Sequence, residues 1–135
     1  MGNTRFPKDS LVVVATGAGA KMFRNTDKTG DVSLKSEGEL EPKDLALEGP
    51  SGSYVPESSQ QETDEATFSK QLAHHLYNRA HDGDYDHLVF VADPDTLGEV
   101  RPVLHQEVKD KIILELDKTL TNSPIDQIEK SLRAA

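Results

Sequence analysis

The 135 residues include 32 Leu, Ile, Val and Phe, no cysteine, and a formal charge of −9, enough apolar content for one core of ordinary domain size. No disulfide framework, thiolate nucleophile or sulfur-ligated zinc can be built, and the net charge has the wrong sign for a domain that grips phosphates over its whole surface. No apolar run approaches the roughly 18 residues that span a bilayer, and MGNTRFPKDS leads into a stretch too short and glycine-broken for a signal peptide. A single cytoplasmic domain over residues 1–135, without membrane insertion, is the expectation.

Leu11 to Ala15 (LVVVA) is an unbroken apolar run whose lack of alternation predicts a central strand buried on both faces. Gly17 and Gly19 allow a tight turn into a second, antiparallel strand through Lys21, Met22, Phe23 and Arg24, which the turn-rich NTDKTGD closes. Val32 to Leu40 (VSLKSEGEL) alternates at first and then less cleanly, as a half-exposed third strand would. Residues 41–62 hold Pro42, Gly49, Pro50, Gly52 and Pro56 with little periodicity, which predicts a flexible loop outside the core.

Thr63 to Ala80 is the clearest helix, with Thr63 or Asp64 to cap it and Phe68, Leu72, Leu76 and Ala80 recurring every four residues. Asp82-Gly83 stops it. His87 to Ala92 (HLVFVA) reads as a fourth, buried strand, and Asp93-Pro94 starts a helix over Thr96 to His105 that Pro102 ends or bends. Lys111 to Lys118 makes a fifth strand, and Ser123-Pro124 opens a last helix with Ile125, Ile128 and Leu132 inward. The fold class is therefore α/β: a mixed five-stranded sheet, formed by an antiparallel three-strand meander plus two crossover-linked strands, with helices on its faces.

Charge is uneven along this plan. Residues 1–35 carry six basic side chains (Arg5, Lys8, Lys21, Arg24, Lys28, Lys35) against three acids, a balance of +3, and the remaining hundred carry nine against 21, or −12. Such asymmetry suggests a basic hairpin on an acidic body, although lysines protecting an edge strand give the same composition.

The candidate motifs are weak in chemistry. TGAGAK at Thr16 to Lys21 matches neither the Walker loop nor the dinucleotide fingerprint, and a strand follows it where a phosphate-holding helix would be needed. His74 and His81 project on the face opposite the apolar stripe, solvent-facing and roughly 10 Å apart, too far for one ion to bridge. Asp82 to Asp86 lacks the glycine and glutamate placement of a calcium loop. Asp93 follows a buried strand at its carboxyl end, where open α/β sheets place ligands, and equally suits the cap of the next helix. No Gly-x-Ser-x-Gly elbow is present, and GPSGS at Gly49 to Ser53 falls in the loop. The element order resembles ribonuclease-H-like nucleases, but their first-strand metal carboxylate has no counterpart in LVVVAT. No catalytic set, metal site or cofactor is expected from these residues.

LVVVATGAGAKMF (Leu11 to Phe23), GPSG (Gly49 to Gly52), ETDEATFSKQLAHHL (Glu62 to Leu76), YDHLVFVADPDTLGEVRPVL (Tyr85 to Leu104) and ELDKTLTNSPIDQIEKSL (Glu115 to Leu132) form an ordered series of blocks. Together they resemble the bacterial host attachment family, which is similar in turn to the central domain of archaeal and eukaryotic translation release factors. The resemblance implies a mixed-sheet α/β domain. Release factors hydrolyse peptidyl-tRNA through a Gly-Gly-Gln loop, which this chain lacks, so that activity does not carry over. The family's Asp-Arg-Gly-x-Ala-Arg turn is only partly kept, with Thr16 in place of the aspartate.

Two functional expectations follow. The first is a non-enzymatic host attachment family protein that binds a macromolecule, the ribosome or RNA being implied by the resemblance, through Lys21, Arg24, Lys28 and Lys35. The second is a small-molecule or phosphate-binding domain with its site between the Thr16–Lys21 turn and Asp93. The candidate binding residues are Thr16, Gly17, Gly19, Lys21, Arg24 and Asp93, and self-association through an edge strand stays open.

Overall fold

The computed structural model describes residues 5–41 and 61–135, with side chains described for all of these except 61–67. Its centre is a five-stranded sheet of order β3-β2-β1-β4-β5. β1 (Leu11–Thr16) pairs antiparallel with β2 (Gly19–Asn25) and parallel with β4 (Leu88–Ala92). β3 (Leu34–Leu40) lies antiparallel to β2, and β5 (Ile112–Asp117) parallel to β4. A strand covered on both faces has no polar face to alternate with, which is why LVVVA and LVFVA are continuous runs.

The pleat of β1 divides the core in two. Leu11, Val13 and Ala15 join Leu88 and Phe90 beneath α1 (Gln61–His81), which contributes Phe68, Leu72, Leu76 and Ala80. α2 (Pro94–Val100) adds Leu97 and Val100 on that side, and α3 (Gln106–Lys109) adds Val108. Val12 and Val14 point the other way, with Val89 and Val91, toward Phe6, Val32 and Leu120 and toward Ile128 and Leu132 of α4 (Ile125–Arg133). The result is a three-layer α/β domain. Each large side chain fully buried this way contributes roughly 1.5–3 kcal/mol.

Several boundaries differ from those the sequence suggests. The expected helix over Thr96 to His105 is α2, which ends at Val100, followed by a 3₁₀ turn at Arg101–Val103, and the separate short helix α3 begins only after His105. Pro102 has no amide hydrogen to continue α2, and His105 restarts the helix by accepting the Glu107 amide on its Nδ1 at 3.0 Å, a capping role that its residue type does not advertise. Ile125, expected inward, stands at the first residue of α4 and is 36% exposed. Pro124 precedes that helix without any side-chain cap. Gln61 and Glu62 belong to α1 rather than to the expected loop, and the rest of that loop, 42–60, lies outside the described residues.

Candidate functional site

The parallel strands β1 and β4 end side by side, with Ala15 opposite Ala92, and the β1–β2 turn closes at the same level, with Thr16 opposite Gly19. This carboxyl rim is where open α/β sheets present ligand-binding loops. The Thr16 hydroxyl accepts the Ala18 amide at 3.2 Å, holding the turn. A Cβ at Gly19 would come within 3.0 Å of the Leu40 carbonyl oxygen, so glycine lets β3 approach closely here.

Two clefts open on the rim. One, of about 430 Å³, is lined by Thr16, Gly19, Lys21, Glu39, Thr121 and Asn122 among others. The second, of about 370 Å³, is lined by Gly17, Asp93, Asp95, Thr96 and Glu99. Asp93 is the cap of α2: its carboxylate accepts the Thr96 hydroxyl at 2.7 Å and the Thr96 amide at 3.2 Å. Thr16, Gly19 and Lys21 thus line one cleft and Gly17 and Asp93 the other, all at one end of the sheet.

Arg24 is elsewhere. It pairs with Leu11 at the opposite end of β1, about 17 Å of strand from Gly19. Its guanidinium donates to both Glu37 oxygens at 3.1 Å and to Asp84 Oδ2 at 3.0 Å, and to the carbonyls of Asp9 and Asp84 at 3.1 Å. Arg79 closes a ring, reaching Asp84 at 2.7 Å and Glu37 at 3.4 Å. The ring joins β2, β3, the end of α1 and the turn after it. Burial alone would lower the Arg24 pKa, but its bonds to Glu37 and Asp84 outweigh that and raise it. At Asp84 burial pushes the carboxyl up, and the hydrogen bond from Arg24 and the charge of Arg79 prevail, holding it below its ordinary range. A side chain so engaged is not available to a phosphate, and the proposed basic set loses Arg24.

The three lysines of the set also fail to form one patch. Lys21 lies opposite Glu39, and Lys35 lies opposite Arg24. Three residues separate Lys21 from Arg24 along β2, so the two point to opposite faces, and Lys35 shares Arg24's face rather than Lys21's. Lys28 and Lys35 are exposed and Lys21 is half-buried. His74 is half-buried too, not solvent-facing as its helical position suggests, whereas His81 is exposed and stacks on Tyr77 at 5.8 Å. Among the described residues no group of three His, Asp or Glu side chains is placed to hold a metal ion.

The residue that sequence reading missed is Asn25. Fully buried, its amide nitrogen donates to the carbonyls of Phe6 (2.9 Å), Pro7 (3.2 Å) and Asp31 (3.0 Å). Its oxygen accepts the amides of Asp27 (3.1 Å) and Ser33 (2.9 Å). It organises the amino-terminal arm and the β2–β3 connection around one side chain. At the start of NTDKTGD it reads only as another turn residue.

Fold and rim together define a mixed-sheet α/β domain with two clefts at the carboxyl rim and one of about 350 Å³ beside Arg24 and Asp84 at the amino end. The chain belongs to the bacterial archaeo-eukaryotic release factor family 12, whose model matches residues 9–132. That match carries the release-factor part of the resemblance and not the host attachment name. No curated protein matches the chain. Twelve chains of solved structures do, among them the activator of the 2-hydroxyisocaproyl-CoA dehydratase from Clostridium difficile with bound ADPNP, at 12% identity and a TM-score of 0.45. The alignment covers 97% of this chain and 65% of that one, so this chain spans under two-thirds of its length. A likeness of that strength carries no functional argument. Among the described residues no helix is long and apolar enough to cross a membrane.

Proposed function

We propose that the chain is a binding domain of the release-factor family that engages the ribosome or RNA without hydrolysing peptidyl-tRNA. The observation that carries this reading is the family match over residues 9–132, combined with the absence of Gly-Gly-Gln from the sequence. Lys21 on the rim is its candidate contact, neutralising a phosphate and releasing counterions, with Lys28 and Lys35 as separate basic points that do not join it in one patch. The −9 body repels nucleic acid elsewhere, which confines contact to such basic points. A part in attachment to host cells would follow indirectly from that binding.

The test is co-sedimentation with ribosomes over a salt series, comparing the natural chain with the triple variant Lys21→Glu, Lys28→Glu, Lys35→Glu. Binding by the natural chain should weaken as salt rises and be lost in the triple variant. Equal binding by the triple variant would discard these lysines as contacts, and no binding by the natural chain would discard the reading itself.

A second reading is favoured by the 430 Å³ cleft, whose lining includes hydroxyls, an amide and Lys21. Glu39 and Glu41 also line it, and two carboxylates against one ammonium suit a neutral or zwitterionic polar ligand better than a bare phosphate. A thermal-shift screen of polar metabolites at saturating concentration addresses it, with a shift that Lys21→Ala and Thr16→Val abolish as the expected result. No shift with any compound would count against it.

A further inference from the structure

The 430 Å³ rim cleft has strands on one side and a connecting turn on the other. Lys21 pairs with Val14 of β1, two positions from the Val12–Phe23 pair, so it stands on the sheet face that α4 covers. Glu39 is opposite Lys21 in register and shares that face. α4 has nine residues against 21 in α1, and beside Lys21 and Glu39 the lining comes instead from the segment joining β5 to α4. Leu120 anchors that segment, buried with Val12 and Val14, and the Ser123 amide closes it by donating to the Leu120 carbonyl at 3.0 Å. Thr119, Thr121 and Asn122, on either side of the anchor, line the cleft.

These polar groups are held in place but not used. At the amino end β2 and β3 are joined by an ion pair, Arg24 to Glu37 at 3.1 Å. At the rim the same two strands set Lys21 and Glu39 about 4.5–5.5 Å apart at Cβ. Among the described residues neither forms a hydrogen bond or an ion pair, and the side chains of Thr119, Thr121 and Asn122 form none either. The Thr16 hydroxyl accepts the Ala18 amide and keeps its own proton to donate. A bare anion brought to Lys21 meets Glu39 beside it and Glu41 on the same lining, and a bare cation brought to Glu39 meets Lys21. A ligand carrying both charges on one carbon answers both side chains at once. Its remaining substituent then faces hydroxyls and an amide, whose desolvation an apolar group could not repay.

We propose that this cleft binds a free polar α-amino acid, its carboxylate on Lys21, its α-ammonium on Glu39 and its side chain among Thr119, Thr121 and Asn122. The proposal rests on the second reading above, that the rim cleft holds a small polar molecule, and narrows it to one chemical class. A volume of about 430 Å³ lies within the range of small-ligand sites, roughly 300–1,000 Å³.

Isothermal titration calorimetry of the whole chain with the standard L-amino acids tests it, with an amino acid amide and an N-acetyl amino acid as paired controls. A free amino acid with a hydroxyl or amide side chain should bind, and removing either of its charges should weaken binding about tenfold or more. Lys21→Ala should weaken the free amino acid likewise without weakening its amide further. Glu39→Gln should show the same pattern with the N-acetyl form, a selectivity that loss of folding could not produce. Binding of neutral sugars or polyols with none by any amino acid overturns the proposal and leaves the second reading standing, whereas binding of no compound at all overturns both. Equal binding of the free, amide and N-acetyl forms overturns it too, as do a preference for apolar amino acids and an affinity indifferent to Lys21→Ala and Glu39→Gln.

Discussion

The two ends of the sheet are built from similar residue types and do opposite things. At the amino end, Arg24, Arg79, Glu37 and Asp84 satisfy one another in a ring, and Asn25 gathers the arm and the turn. At the carboxyl end, Thr16, Lys21, Thr121 and Asn122 face an open cleft. A basic residue in the hairpin is therefore no guide to binding until its partners are known. Arg24 is structural because two acids and two carbonyls surround its guanidinium. Lys21, three residues earlier, stands opposite Glu39 of β3 and lines the rim cleft together with Glu39 and Glu41.

The comparison can be broken first at Asn25. Replacing it with alanine leaves three carbonyls and two amides without their partner, and each buried group so orphaned costs about 1–3 kcal/mol. Water will enter and recover part of this, so the expected loss is about 3 kcal/mol or more, read as a lower urea midpoint. Asn25→Asp should be no milder, since it keeps the two accepted bonds, removes all three donated ones and buries a charge.

The ring comes next. Arg24→Met should destabilise by about 1–2 kcal/mol, less than the loss of a fully buried pair because Asp84 is more than a third exposed. A double-mutant cycle of Arg24→Met with Asp84→Asn should show coupling, and strict additivity would mean the ring contributes nothing as a unit. The same ring sets a pH dependence. Asp84 has its carboxyl lowered from 3.8 in the folded chain, so its contribution is complete above the ordinary carboxylate range and is lost as pH falls through the folded value. Acid titration of stability should therefore separate the natural chain from Asp84→Asn above about pH 4 and bring the two curves together below it.

Most of the fold was legible because strong periodicity survives in short segments. The β-branched runs LVVVA and LVFVA, short and bounded by turn residues, read as buried strands, and the four-residue spacing of Phe68, Leu72, Leu76 and Ala80 reads as one helical stripe. What was not legible depended on partners distant in sequence. Arg24 and Asp84 lie 60 residues apart, and neither position carries a local signal that they meet. Asn25 looks like any turn asparagine until Phe6, Pro7 and Asp31 converge on it. His105 caps a four-residue helix, shorter than periodicity can register. At the rim the chain order was enough to bring Thr16, Gly17, Gly19, Lys21 and Asp93 to one end of the sheet, but not to divide them between two clefts.

The smallest expected effect on stability is at the rim, and there the comparison sharpens most. Lys21 is half-buried beside an open cleft, and among the described residues the charged residue opposite it in register is Glu39 of β3. Lys21→Ala should therefore change the urea midpoint by no more than the equivalent of about 0.5 kcal/mol, as substitutions away from buried networks do. If Lys21 serves binding, the same variant should reduce the salt dependence of ribosome or RNA retention by about one phosphate's worth while the fold is unaffected. A Lys21→Ala variant that loses stability as Arg24→Met does would place Lys21 in the fold's own framework, as Arg24 is, and remove it from the binding reading.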